Sequence, residues 1–75
     1  RQIEGVDIGI CIKEKKPGLM KVSLRSSENA DVAAIAQQFG GGGHARAAGC
    51  AFECSVEETE KQIVWACAKA LDNAL

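Results

Sequence analysis

The chain has 75 residues, 47% hydrophobic and 25% charged, a composition typical of one small globular domain and not of a disordered tail. Nine basic and ten acidic residues leave a net charge of -1, which excludes a global positive field, so any anion site must be local. Apolar runs are short and interrupted by charges, which excludes a membrane-spanning helix and a secretory signal. The chain starts at Arg1 and not at methionine, so we expect a piece of a longer protein.

The first third of the chain predicts an antiparallel hairpin. Apolar and polar residues alternate from Val6 to Lys13 and again from Leu19 to Arg25, with a charged turn containing Pro17 and Gly18 between them. Basic residues gather near the hairpin tip: Lys13, Lys15, Lys16 and Lys21. They suit contact with nucleic acid, but a charged strand edge that prevents aggregation has the same pattern.

The remainder predicts a helix, a strand and a second helix. The segment from Asp31 to Phe39 carries an apolar stripe at helical spacing, with Asn29 or a neighbour as cap. The segment from Ala47 to Cys54 alternates, and its second face is made of very small residues. Ser55 opens a capping box before a long final helix. Trp65 lies off the apolar stripe of this helix, and we expect it to pack against the core, with the sheet edge or a missing neighbour as the alternatives.

Together these elements predict an α+β fold, a two-layer β-β-α-β-α sandwich with a small mixed sheet and both helices on one face. If a helical crossover makes the second and third strands parallel, Arg25 and the start of the third strand lie at opposite ends of the sheet. One phosphate then cannot touch both.

The four cysteines, Cys11, Cys50, Cys54 and Cys67, are irregularly spaced within apolar patterns. Such cysteines are typical of reduced thiols in a cytoplasmic protein, so the sequence predicts a cytoplasmic location. On a straight strand Cys50 and Cys54 would lie about 13 Å apart, too far to share a zinc ion.

A run of four glycines, Gly40–Gly43, followed by His44 and Arg46, is the principal motif of the chain. Ordered glycine is entropically unfavourable, so the run suggests close approach of the backbone to something. Because the glycines follow a helix and precede a strand, both the P-loop and the dinucleotide fingerprint are excluded. Anion binding would then use the loop's own amides, at Gly41, Gly42 and Gly43, together with His44 and Arg46.

Arg25, at the polar end of the second strand, is a further candidate because arginine grips phosphate with two parallel hydrogen bonds. A surface ion pair with Glu28 or Asp31 explains the same residue equally well. Capping or loop roles for His44, and a flexible linker for the glycines, are the corresponding structural alternatives.

The motif Gly41-Gly42-Gly43-His44-Ala45-Arg46-Ala47-Ala48-Gly49 resembles the signature of the DHH-associated domain, the C-terminal lobe of DHH-type phosphoesterases. The segments 22–26 and 31–40 resemble the strand and the helix that precede this motif in the family, and the likeness extends from about Val6 to Leu75. These enzymes include RecJ-like exonucleases, oligoribonucleases and phosphoadenosine-phosphate phosphatases.

This resemblance implies that residues 1–75 are a single substrate-binding domain, a C-terminal fragment of a two-domain protein. By the same resemblance, it would bind short RNA or nucleotide 3'-phosphates through Arg25, Gly41, Gly42, Gly43, His44 and Arg46. The resemblance also implies two manganese ions in an N-terminal DHH domain, the partner of this one. The single histidine and scattered aspartates of this chain are not expected to assemble a two-metal site. This chain alone is therefore expected to have no catalytic residue, no metal and no activity.

Two other functions remain open on the sequence. One is a nucleic-acid-binding module related to the C-terminal domain of alanyl-tRNA synthetase, which has a similar glycine-rich loop. The other is a dimerisation or interaction domain that docks another subunit on its small-residue face.

Overall fold

Five antiparallel strands and two helices form the described part of the chain. The computed structural model describes residues 2–3, 8–27 and 30–74, apart from the side chains of 2–3 and 72–74. The elements are β1 (Gln2–Ile3), β2 (Ile8–Lys16), β3 (Leu19–Ser26), α1 (Val32–Gln37), β4 (Gly42–His44), β5 (Ala47–Phe52) and α2 (Val56–Ala74). The strands form one sheet in the order β1-β2-β3-β5-β4.

One face of the sheet is apolar, and both helices pack on it. Alternation along the strands places every second side chain on this face, where it meets the apolar stripes of the helices. The core contains Ile8, Ile10, Met20, Val22, Leu24, Val32, Ile35, Cys50, Phe52, Ile63, Cys67 and Leu71. The predicted α+β fold with both helices on one face is therefore confirmed.

The predicted mixed sheet is wrong, because all pairings between the described strands are antiparallel. Sequence analysis missed β4. After α1 the chain runs along the sheet edge as β4 and reverses at Ala45 and Arg46 before it enters β5. This additional hairpin reverses the direction of β5, so β5 runs antiparallel to β3 and the anticipated separation of Arg25 from the start of β5 does not arise.

The helices start at polar caps. The Asp31 carboxylate accepts a hydrogen bond from the Ala34 N–H at 3.1 Å, and the Ser55 hydroxyl accepts one from the Glu58 N–H at 3.2 Å. Asn29, which the sequence analysis named as a cap of α1, lies outside the described residues. So does Val6, the predicted start of the first strand. None of the helices in the described segments combines the length and apolarity needed to cross a membrane.

Trp65 does not pack in the core as expected. It lies on α2 with 61% of its surface exposed, and the Lys69 Nζ is 4.9 Å from the centre of its ring. Its position off the apolar stripe of α2 explains the exposure, and the lysine covers one ring face in a cation–π contact.

The first two glycines of the run terminate α1. Gly40 has φ +80°, a left-handed conformation that side chains rarely adopt. Its N–H donates to the Gln37 carbonyl at 3.2 Å, while the Gly41 N–H donates to the Ala36 carbonyl at 2.9 Å. These two bonds form a Schellman motif, in which glycine reverses the chain at a helix end.

Close packing against β5 accounts for two of the glycines. A Cβ on Gly41 would overlap the Gly49 carbonyl oxygen and lie 2.7 Å from the Cys50 Cβ. A Cβ on Gly43, which has φ +143°, would lie 2.6 Å from the Ala47 carbonyl oxygen. By contrast, a Cβ on Gly42 would meet no atom within 4 Å, so neither space nor φ demands glycine at that position.

The contrast between Gly41 and Gly42 allows a matched test of how the loop packs against β5. Gly41→Ala should lower the free energy of unfolding by at least about 2 kcal/mol, because the new methyl overlaps backbone atoms of β5 that cannot move aside. Gly42→Ala, one residue along, should leave the free energy of unfolding within about 0.5 kcal/mol of the parent. Urea unfolding followed by circular dichroism measures both. Equal losses in the two variants would contradict the packing argument.

All four cysteines are free thiols, and Cys50 and Cys67 are buried. Burial raises the pKa of the Cys50 thiol above its ordinary value. Burial, with a smaller contribution from nearby Cys50, raises the pKa of Cys67 to about 11, from an ordinary value of 9.0. The folded chain therefore keeps these thiols protonated at pH values where an unfolded chain has begun to release the protons.

A pH dependence of stability follows from this difference. The contribution of Cys67 is fully present below pH 9, the unfolded value, and is lost as the pH rises towards the folded value of about 11. The urea midpoint should fall between pH 8 and pH 10.5, and by less in Cys67→Ala. The variant removes the titration of Cys67 and keeps that of Cys50, whose pKa burial also raises. An identical fall in parent and variant would contradict the assignment.

Candidate phosphate-binding site

Two predicted site residues, Arg25 and His44, lie in one row of residues that runs across the strands of the sheet. We call the sheet face opposite the helices the outer face. On it, Arg25 of β3 lies opposite Gly9 of β2 on one side and Ala47 of β5 on the other. Ala47 in turn lies opposite His44 of β4. Directly paired residues of antiparallel strands share a face, so Arg25 and His44 flank the methyl group of Ala47 on the same side of the sheet.

Between Arg25 and His44, the row carries only the small side chain of Ala47. Two strand spacings separate the Arg25 and His44 backbones, about 10 Å. The adjacent row of the outer face runs from Ser23 to Gly49 and Gly42, which adds one hydroxyl and two positions without a side chain. Both Arg25 and His44 are exposed. An anion can therefore approach the backbone closely between two side chains that carry N–H donors.

Arg25 has no internal partner among the described residues: its guanidinium makes no hydrogen bond or ion pair with any of them. Of the two acidic residues that could have paired with it, Asp31 caps α1 instead, and Glu28 lies outside the described residues. The side chain of His44 likewise has no hydrogen bond within the described segments. The donors of the row are thus accessible to a ligand.

Arg46 has a structural contact. Its Nη1 donates to the Ala30 carbonyl at 3.1 Å, and its own carbonyl accepts from the Ser26 N–H at 3.1 Å. The Ala45 carbonyl accepts from the Val32 N–H at 3.0 Å. These bonds tie the turn of the β4–β5 hairpin to the end of β3 and to the start of α1.

Ser26, which sequence analysis did not single out, contributes to the same ties. Its hydroxyl lies 2.8 Å from the Ala30 carbonyl oxygen and 2.9 Å from the Ala45 carbonyl oxygen, so its single proton can bond either. In the sequence, the signal that could have identified Ser26 is its position directly after Arg25. Through this network the backbones that carry Arg25 and His44 are held in fixed relation.

The predicted glycine amides are not equivalent. The Gly41 N–H donates to Ala36 and is therefore not free for an anion. Gly42 and Gly43 lie in β4, an edge strand, where alternate backbone groups point away from the sheet. The predicted residues that the structure brings together on one face are Arg25, His44 and Gly42, while Gly41 and Arg46 hold the loop in place.

Within the described ranges, no group of three or more His, Cys, Asp or Glu side chains lies close enough to hold a metal ion. The row of Arg25 and His44 offers N–H donors, which suit an anion rather than a cation.

Comparison with known proteins agrees with the motif. The family model of the DHHA1 domain matches residues 1–73, nearly the whole chain. The search of curated proteins found no match to the chain. The match spans all seven elements apart from the last residue of α2, including the glycine–histidine motif and the strand that carries Arg25. The chain belongs to the DHHA1 family, the DHH-associated domain of DHH-family phosphoesterases, whose usual partner is an N-terminal DHH domain.

Proposed function

We propose that this domain is the phosphate-binding lobe of a DHH-type phosphoesterase that hydrolyses short oligoribonucleotides or nucleotide 3'-phosphates. The observation that carries the proposal is the placement of Arg25 and His44 on one open face, on either side of Ala47. Because the net charge of the chain is -1, its field does not attract polyanions in general, and binding depends on this local pair.

The roles of the residues follow from their donors. The Arg25 guanidinium presents parallel N–H groups that match two oxygens of one phosphate, which a lysine ammonium does not. His44 donates from the other side. The row has no large side chain between them, so the phosphate can reach both the donors and any outward amide of β4. In this way the lobe fixes the position of the substrate relative to the catalytic domain.

Hydrolysis itself belongs to the partner domain in this proposal. The manganese ions bound there supply an activated water and neutralise charge on the reacting phosphate. The residues of this chain bind and orient, and a fixed cation near the substrate stabilises negative charge that develops in the transition state. The chain alone is therefore expected to bind nucleotides without hydrolysing them.

Binding to the isolated chain tests the proposal. Titration of the isotope-labelled chain with 5'-phosphorylated diadenylate, pApA, should shift the amide resonances of Arg25, Ala47, Gly49 and His44. Arg25→Gln should weaken binding about tenfold or more, since hydrogen bonds to charged groups contribute about 1.5–3 kcal/mol. His44→Ala should weaken it by a smaller factor, because an imidazole offers the ligand a single N–H where the guanidinium offers two parallel ones.

Lys61→Gln is the matched control. Lys61 is exposed on α2, in the helical layer on the far side of the sheet, and its loss changes the net charge by the same amount as the loss of Arg25. The affinity of the Lys61→Gln variant for pApA should equal that of the parent chain. If Arg25→Gln binds pApA as tightly as the parent, or the shifts map to α2, the phosphate-binding role is refuted and an interaction domain becomes the better explanation.

A further inference from the structure

A second cationic position lies on the outer face, away from the row of Arg25. Lys13 of β2 and Lys21 of β3 are directly opposite each other in the antiparallel register, and both are exposed. Their Cβ atoms are about 5 Å apart, a distance at which like charges destabilise a strand pair. The outer face, which carries Arg25 and His44, therefore also contains an electrostatically unfavourable pair of lysines.

Neither lysine is neutralised within the described segments, where no acidic side chain forms an ion pair with it. Glu14, next to Lys13, lies opposite Met20, a core residue, and so occupies the other face of the sheet. On its remaining side Lys21 lies opposite Ala51. An anion bound between the two ammonium groups would relieve their repulsion, whereas a solubilising surface role does not require them to be opposite each other.

A concavity adjoins this pair. A hollow of about 460 Å³ is lined by Lys15, Leu19, Met20, Lys21, Gly49, Cys50 and Ala51. Of these, Gly49 and Ala51 belong to the small-residue stripe of β5, which continues to Ala47 in the row of Arg25. The hollow and that row are therefore parts of one uninterrupted surface.

We infer that Lys13 and Lys21 form a second phosphate subsite, and that the ligand is a single-stranded oligonucleotide lying along β3 and β5. This rests on the proposed function of Arg25 and His44. Lys21 and Arg25 lie four positions apart along β3, a backbone distance of about 14 Å. No single phosphate reaches both positions, so the surface suits a chain of phosphates and not a mononucleotide.

The same surface does not read bases by stacking. The chain has three aromatic residues, and all three lie away from the outer face: Phe52 and Phe39 pack in or against the core, and Trp65 lies on α2. Without an aromatic platform, recognition depends on phosphates and is insensitive to base composition.

The test compares two lengths of ligand with matched variants. In the parent chain, 5'-phosphorylated pentaadenylate should bind about tenfold more tightly than pApA, and pentauridylate should bind within about threefold of pentaadenylate. The double variant Lys13→Gln/Lys21→Gln should lose most of the gain for the pentamer and keep the affinity for pApA. Its slope of log affinity against log salt with the pentamer should become shallower by about 0.7–1.4.

Lys61→Gln/Lys69→Gln, with the same change of net charge but on α2, is the control, and it should bind both ligands as the parent does. Circular dichroism verifies that each variant is folded. If pApA binds through Arg25 but the pentamer binds no more tightly, or binds equally to both double variants, the second subsite is overturned while the proposed function stands. If pApA does not bind the face of Arg25 at all, the proposed function has failed, and the second subsite fails with it.

Discussion

The close approach of the glycine run to β5 is the constraint on which the rest of the structure depends. Gly41 and Gly43 lie so near the backbone of residues 47–50 that a single methyl group would not fit at either position. This contact lets β4 pair with β5 immediately after α1 ends. Because β4 pairs there, His44 lies opposite Ala47, two strands from Arg25. The glycines thus act first as structural residues, and in the proposed function they would contribute by positioning side chains rather than mainly by offering amides.

Local charge placement explains how a chain with a net charge of -1 can present a cationic surface. Alternation sends apolar side chains to the helices and leaves the opposite face to small and basic residues. Acidic residues are largely elsewhere: Glu57 and Glu58 lie in the first turn of α2, where they interact favourably with the positive end of the helix dipole. The helical side carries charges of both signs, because Lys61 and Lys69 also lie on α2, whereas the row on the outer face carries Arg25 and His44.

Sequence reasoning succeeded where the signal was local. Alternation in residues 8–13 and 19–25 identified the first hairpin and its buried face, and Ser55 identified the start of α2. It failed at β4, because a Gly-Gly-His strand has no side-chain alternation and low intrinsic β-propensity. The missed hairpin then reversed the direction predicted for β5. Residue chemistry singled out Arg25 and His44, but their meeting depends on the pairing of β3 with β5, where Arg25 lies opposite Ala47, more than 20 residues further along the chain. No local pattern encodes that pairing.

The short length of α1 has a consequence for dynamics. Six residues are too few for a helix to persist by itself, so α1 depends on its buried side chains and on the bonds at its two ends. The Ala45 carbonyl holds its start and the loop at Gly41 holds its end, and the hairpin between these points carries His44. Opening of the β4–β5 hairpin would release both ends of α1, so we expect the helix and the hairpin to open as one cooperative unit. A ligand bound across Arg25 and His44 would slow amide hydrogen exchange in α1, a helix that it does not touch.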